Sequence, residues 1–125
     1  MNVKLISNQK AIVGGLLFAK QAFALIFSKI KFIIIHDTGM QSEIESIKRL
    51  KNKKAKVSCH YLINKKGEII QMVHENKIAW HAGISRWKNY RNLNINSIGI
   101  ELVNKGHRFG YEKFNDLQIN KLIVL

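Results

Sequence analysis

Asn96-Ser97-Ile98-Gly99-Ile100-Glu101-Leu102-Val103 is the stretch on which the fold reading turns. Its apolar alternation predicts a strand over Ser97 to Val103. Ile98, Ile100 and Leu102 then share one face, while Gly99, Glu101 and Val103 share the other. A glutamate set among apolar neighbours must find a cation or a hydrogen-bond partner, or else take a raised pKa. Gly99 beside it withholds a side chain and leaves room for another group to approach. The combination suits a general acid or base on a rigid element facing a cleft. The alternative is an outward face on which Glu101 is simply hydrated.

Working outward from that strand, Phe32-Ile33-Ile34-Ile35 is a β-branched run that reads as a fully buried strand ending at His36-Asp37-Thr38-Gly39. Ser42 with Glu45 makes a capping box, and Ile44, Ile47 and Leu50 keep helical spacing through to Lys51. Tyr61-Leu62-Ile63 and Ile69-Ile70-Gln71-Met72-Val73 flank Asn64-Lys65-Lys66-Gly67, a hairpin pattern. Gly83 to Asn96 is expected to be an irregular loop. Asn115 is a good cap for a last helix that starts at Asp116 and carries Ile119, Leu122 and Ile123 on one stripe. Strands and helices in this order predict an α/β domain, a mixed β-sheet flanked by helices. The apolar stripe still runs at Leu125 with no capping Gly or Asn, so the domain is expected to be incomplete at its C-terminal end.

The 125 residues suffice for one compact domain, and 46% hydrophobic content argues against wholesale disorder. A single cysteine, Cys59, excludes an intrachain disulfide and a four-thiolate zinc site. The charge is +13, from 21 Lys and Arg against 8 Asp and Glu. Such an excess attracts nucleic acids, anionic membranes and wall polymers alike. No helix-turn-helix, zinc-finger or RNP-type pattern accompanies it, so no specific nucleic-acid partner is expected. The densest run, Lys48 to Lys56, reads as a solvated helix end, where cations suit the helix dipole. Residues 1–30 stand apart. Ala11 to Phe27 is shorter than the roughly 20 residues of a spanning helix and is interrupted by Lys20. Two readings stay open: a secretory signal or anchor with a small-residue site at Ala22-Phe23-Ala24, and an N-terminal helix packed on the domain. The first tilts the expected location toward the cell envelope or periplasm, with the cytoplasm as the alternative.

Five histidines are present, none in an H-x-H, H-x-x-x-H or H-E-x-x-H arrangement, so no local metal motif exists. His36 closes a strand, where open sheets gather functional groups. His60 precedes the hairpin, and His81 lies in Trp80-His81-Ala82-Gly83. His74 and His107 read as surface residues. From the residues alone this is an α/β domain with a His/Glu site.

Four ordered motifs carry a resemblance: Phe32-Ile33-Ile34-Ile35-His36-Asp37-Thr38, Val57-Ser58-Cys59-His60-Tyr61-Leu62-Ile63, Ala79-Trp80-His81-Ala82-Gly83, and Asn96 to Asn104, continued by Gly106-His107 and Phe109-Gly110-Tyr111. From Lys31 onward the chain resembles the zinc-dependent type 2 N-acetylmuramoyl-L-alanine amidases, relatives of phage lysozyme-type amidases and peptidoglycan recognition proteins. The resemblance implies hydrolysis of the amide between N-acetylmuramoyl and L-alanine, with peptidoglycan or muropeptides as partners and zinc as cofactor. It implies His36 as the first zinc ligand, Glu101 as the acidic catalytic residue of the bacterial branch, and Trp80 and His81 as substrate-cleft residues. Cys59 with Glu101 is the pairing of that branch. His60 is expected to be a structural or cleft residue. The family's second His ligand, its Asp ligand and a catalytic Lys lie in segments that have no counterpart here. The chain is therefore expected to be a shortened member with weak or no activity alone. It would otherwise act as a non-catalytic muropeptide binder or as half of a split enzyme with a complementing chain.

Overall fold

The computed structural model describes residues 29–125. The signal, anchor or helix readings of the N-terminal segment concern residues outside this range, apart from Lys29 and Ile30. Among the described residues no helix is long and apolar enough to cross a membrane. Among the described residues six strands and two α-helices follow in order: β1 (Phe32–Asp37), α1 (Glu43–Lys51), β2 (Tyr61–Ile63), β3 (Ile69–Gln71), β4 (Arg86–Trp87), β5 (Tyr90–Arg91), β6 (Ser97–Leu102) and α2 (Asp116–Val124). The main sheet runs β1-β6-β2-β3, with β6 parallel to both β1 and β2 and β3 antiparallel to β2. The mixed sheet flanked by helices is the expected one.

Local chemistry sets the ends of these elements. At α1 the Glu45 N–H donates to Ser42 Oγ at 3.2 Å. Glu43 and Glu45 occupy the first turn and Lys48, Arg49 and Lys51 the last, both favourable to the helix dipole. The basic run is exposed from Lys48 to Lys56 apart from Leu50 and Ala55, as a solvated helix end should be. In the β2–β3 turn Asn64 Oδ1 accepts the N–H groups of Lys66 and Glu68, and Gly67 takes a φ of +77° that a side chain would resist. At α2 the Gln118 N–H donates to Asn115 Oδ1 at 2.9 Å, the predicted cap.

Among the described residues each sheet face carries one helix. Cys59, Leu62 and Val103 pack with Ile47 and Leu50 of α1. Ile63, Ile100 and Leu102 pack with Phe114 and with Leu122 and Leu125 of the α2 segment. Burying such a side chain contributes roughly 1.5–3 kcal/mol, so these two layers hold the strands that present the site. β1 departs from expectation, because Ile33 and Ile35 remain 46% and 52% exposed while Ile34 between them is half-buried. Among the described residues β1 is the outer strand of the sheet, paired with β6, and α2 packs over strands further in. The stretch expected to be an irregular loop also contains order: β4 and β5 form a small hairpin, followed by a 3-10 turn at Leu93–Ile95.

Candidate active site

Parallel pairing of β1 with β6 sets His36 directly opposite Glu101, and Ile34 opposite Gly99. Residues so paired share a face. The two residues singled out on separate strands are thus neighbours. Glu101 is 7% exposed, and its Oε2 has no hydrogen-bond partner among the described residues. Burial, reinforced by the charge of Asp37, pushes its carboxyl up from 4.5 to about 8. The hydrated alternative for Glu101 is therefore set aside. The carboxyl borders a cavity of about 40 Å³, lined also by Thr38, Ser46 and Arg49.

The group admitted by Gly99 is His81. A Cβ on Gly99 would lie 2.2 Å from His81 Cγ, so only glycine lets the imidazole lie against the strand. His81 Nδ1 stands 3.1 Å from His36 Nε2, and its Nε2 stands 3.2 Å from Ser97 Oγ. The loop carrying it is pinned from two sides. Asn94 Oδ1 accepts the N–H groups of His81 and Ala82 at 2.9 and 2.8 Å, and Ser58 Oγ accepts the Trp80 N–H at 2.9 Å. Burial, with lesser contributions from His36 and His60, lowers His81 from 6.5 to about 4. Burial also lowers His36, partly offset by Asp37.

His60 serves structure. Its Nδ1 accepts the Gly99 N–H at 3.0 Å, so its Nε2 carries the proton and donates to the Lys77 carbonyl at 3.0 Å. Both ring nitrogens are thereby used. Cys59 is buried in the core, where desolvation raises its thiol to about 12, so it is no nucleophile at neutral pH. Trp80 is 56% exposed and, with His81, Lys56, Ile84, Asn94 and Ile95, lines an open cleft of about 590 Å³. Trp80 and His81 thus both border a cleft, but His81 is buried and turns its ring nitrogens inward. Asn94 and Ser97 were not singled out in the sequence. For Ser97 a signal existed, since period-2 alternation puts it on the same face as Gly99 and Glu101.

The sequence model of the N-acetylmuramoyl-L-alanine amidase family matches residues 27–125, the same span as this sheet and site. The chain belongs to the type 2 N-acetylmuramoyl-L-alanine amidase family. This amidase-family chain is 36% identical over 134 aligned residues to N-acetylmuramoyl-L-alanine amidase AmiD of Escherichia coli, covering 95% of the chain and 48% of the relative. It is 51% identical over 47 residues to the E. coli 1,6-anhydro-N-acetylmuramyl-L-alanine amidase AmpD, covering 38% of the chain and 26% of that protein. The solved complex of E. coli AmiD with anhydro-N-acetylmuramic acid-L-Ala-D-gamma-Glu-L-Lys superimposes with a TM-score of 0.67 at 38% identity, over 77% of this chain and 41% of the other. The crystal structure of Pseudomonas aeruginosa AmpDH3 gives 0.68 at 33% identity, over 75% and 42%. The amidase-family chain spans about half the length of AmiD, 48%, and a smaller share of AmpD, 26%.

The family is zinc-dependent. Among the described residues no group of three His, Cys, Asp or Glu side chains is placed to hold a metal ion. Residues 1–28 contain none of these residue types. His36 engages one ring nitrogen with His81, and Glu101 lies beside it. A catalytic zinc ordinarily takes three protein ligands, and no such set is assembled among the described residues.

Proposed function

We propose that this chain forms the proton-handling and cleft portion of a muropeptide amidase, directed at the amide between the lactyl group of N-acetylmuramic acid and L-alanine. The observation that supports it is Glu101, buried beside His36 with an unpartnered oxygen, where burial pushes its carboxyl up to about 8. Amide hydrolysis places the hydroxyl of water on the carbonyl carbon, breaks the C–N bond and adds a proton to the departing amine. A carboxylic acid still protonated near pH 7 can supply that proton. The exposed Trp80 indole offers a face for a sugar ring, and Lys56 on the cleft wall suits the carboxylates of a stem peptide. His36 is the one donor this chain would offer to the family's zinc, and no step through the metal follows from one donor.

The incomplete donor set beside an intact cleft favours one second reading, a muropeptide-binding module without catalysis. A single experiment separates the two. The purified chain is mixed with anhydro-N-acetylmuramyl tripeptide, with zinc or with chelator; binding is followed by calorimetry and released peptide by mass spectrometry. Binding that survives chelator, with slow peptide release abolished in Glu101→Gln, supports the amidase reading. Binding without release supports the module. Absence of both overturns the proposal. The cell envelope, where wall fragments arise, is the proposed location, and fractionation into the cytoplasm would contradict it.

A further inference from the structure

We propose that Ser97 and His81 are positioning residues that fix the ring proton of His36 on Nε2 and leave Nδ1 as its electron-pair nitrogen. The assignment follows from counting protons along one hydrogen-bonded chain. Ser97 Oγ lies 2.5 Å from the Leu93 carbonyl oxygen. A carbonyl only accepts, so the single hydroxyl proton of Ser97 is committed there. His81 Nε2, 3.2 Å from the same hydroxyl oxygen, must then donate to it. His81 is buried, and among the described residues no carboxylate is hydrogen-bonded to its ring. With one ring proton, already on Nε2, its Nδ1 carries a lone pair. His36 Nε2, 3.1 Å from that lone pair, is left as the donor.

The opposite direction would require His81 to hold two ring protons. That would bury a cation whose close ring neighbours are His36 and His60, with centroids 5.3 and 5.8 Å away. His60 cannot relieve it, because its own proton is committed to the Lys77 carbonyl. One strand supplies both features that hold the relay: Gly99 of β6 seats the His81 ring, and Ser97 of β6 accepts its proton. His36 Nδ1 makes no hydrogen bond among the described residues. It is therefore an acceptor, suited to a cation or to an N–H or O–H group and unsuited to a carbonyl or carboxylate oxygen. This differs from an unconstrained imidazole, which can present either nitrogen.

The inference concerns ring protons and holds whether or not the chain cleaves muropeptides. The test is nitrogen-15 NMR of the full, uniformly labelled chain at neutral pH. The expected result is a scalar coupling across the N–H···N bond between His36 Nε2 and His81 Nδ1, with the proton attached to His36. Ser97→Ala should abolish that coupling and give His36 a mixture of tautomers, while Ser97→Thr, which keeps the hydroxyl, should restore the wild-type pattern. A proton attached to His81 Nδ1, an absent coupling in the wild type, or an unchanged spectrum in Ser97→Ala overturns the assignment. If Ser97→Ala does not fold, the wild-type and Ser97→Thr spectra still decide, because the direction of the bond is read in each.

Discussion

Replacing Glu101 with Gln should make the protein more stable, and by an amount that depends on pH. In the folded chain the carboxyl titrates at about 8, against an ordinary 4.5. Between these values the folded state holds a proton that the unfolded state has released, so stability falls as pH rises through that window. Below it both states are protonated and nothing is lost. Above it both are ionised and the full penalty of the buried charge is present. At about 1.4 kcal/mol per tenfold difference in proton affinity, the interval sets a ceiling of about 5 kcal/mol. Glutamine fills nearly the same space and cannot ionise, so the variant escapes the penalty. Urea unfolding followed by far-UV circular dichroism should show the two proteins nearly equal at about pH 4–5, with the variant ahead by up to about 5 kcal/mol at about pH 9. Circular dichroism is preferred because both tryptophans are more than half exposed, at 56% and 58%. His36, His60 and His81 are lowered, so their contribution is present above the ordinary 6.5 and lost as pH falls through the folded values. Both proteins share that acid-side loss, and it cancels in the difference. Parallel curves from about pH 5 to 9, or a wild type more stable than the variant in alkali, would refute the reasoning, because either result requires an ionised Glu101 with a good partner.

Three other outcomes follow from the geometry. Gly99→Ala places a methyl 2.2 Å from the His81 ring, so thermal melting should show a loss of about 1–3 kcal/mol or more, and the His36–His81 coupling should vanish as the imidazole is displaced. Asn94→Ala strips the acceptor from two backbone N–H groups, of His81 and Ala82; a cost of about 1–3 kcal/mol in urea unfolding and weaker muropeptide binding are expected, and unaltered binding would show that the loop does not shape the cleft. Zinc titration of this chain by calorimetry should give weak binding or none, since one donor is on offer; a tight one-to-one site would mean that side chains now apart converge on the ion.

Much of the fold could be read from local pattern. The Ser42 cap, the Asn115 cap and the Asn64–Gly67 turn each appear where the residues place them, because each depends on groups within four positions of one another. Burial was less legible. Phe32 to Ile35 looks like an interior strand by composition, yet it lies at a sheet edge with Ile33 and Ile35 half in solvent, and strand order is not a property of the strand itself. The β4–β5 hairpin was missed for a related reason: two-residue strands leave no periodicity to detect.

The site divides along the same line. Residue chemistry and alternation were enough to single out Glu101, to show that Gly99 leaves space beside it and to mark His36 and His81 as candidates, and the resemblance of the motifs supplied their roles and that of Trp80. What fills the space, and which way the protons run, came from the folded chain. His36 and His81 are 45 residues apart and His81 and Ser97 are 16 apart, separations at which no local rule acts. They meet because β6 pairs in parallel with β1 in one register, while Asn94 and Ser58 pin the loop bearing His81 against it. A shift of one residue in that register would turn Glu101 to the opposite face from His36. Hydrogen-bond geometry between distant segments therefore decides what the site can do, and the order of residues decides only which groups are available to it.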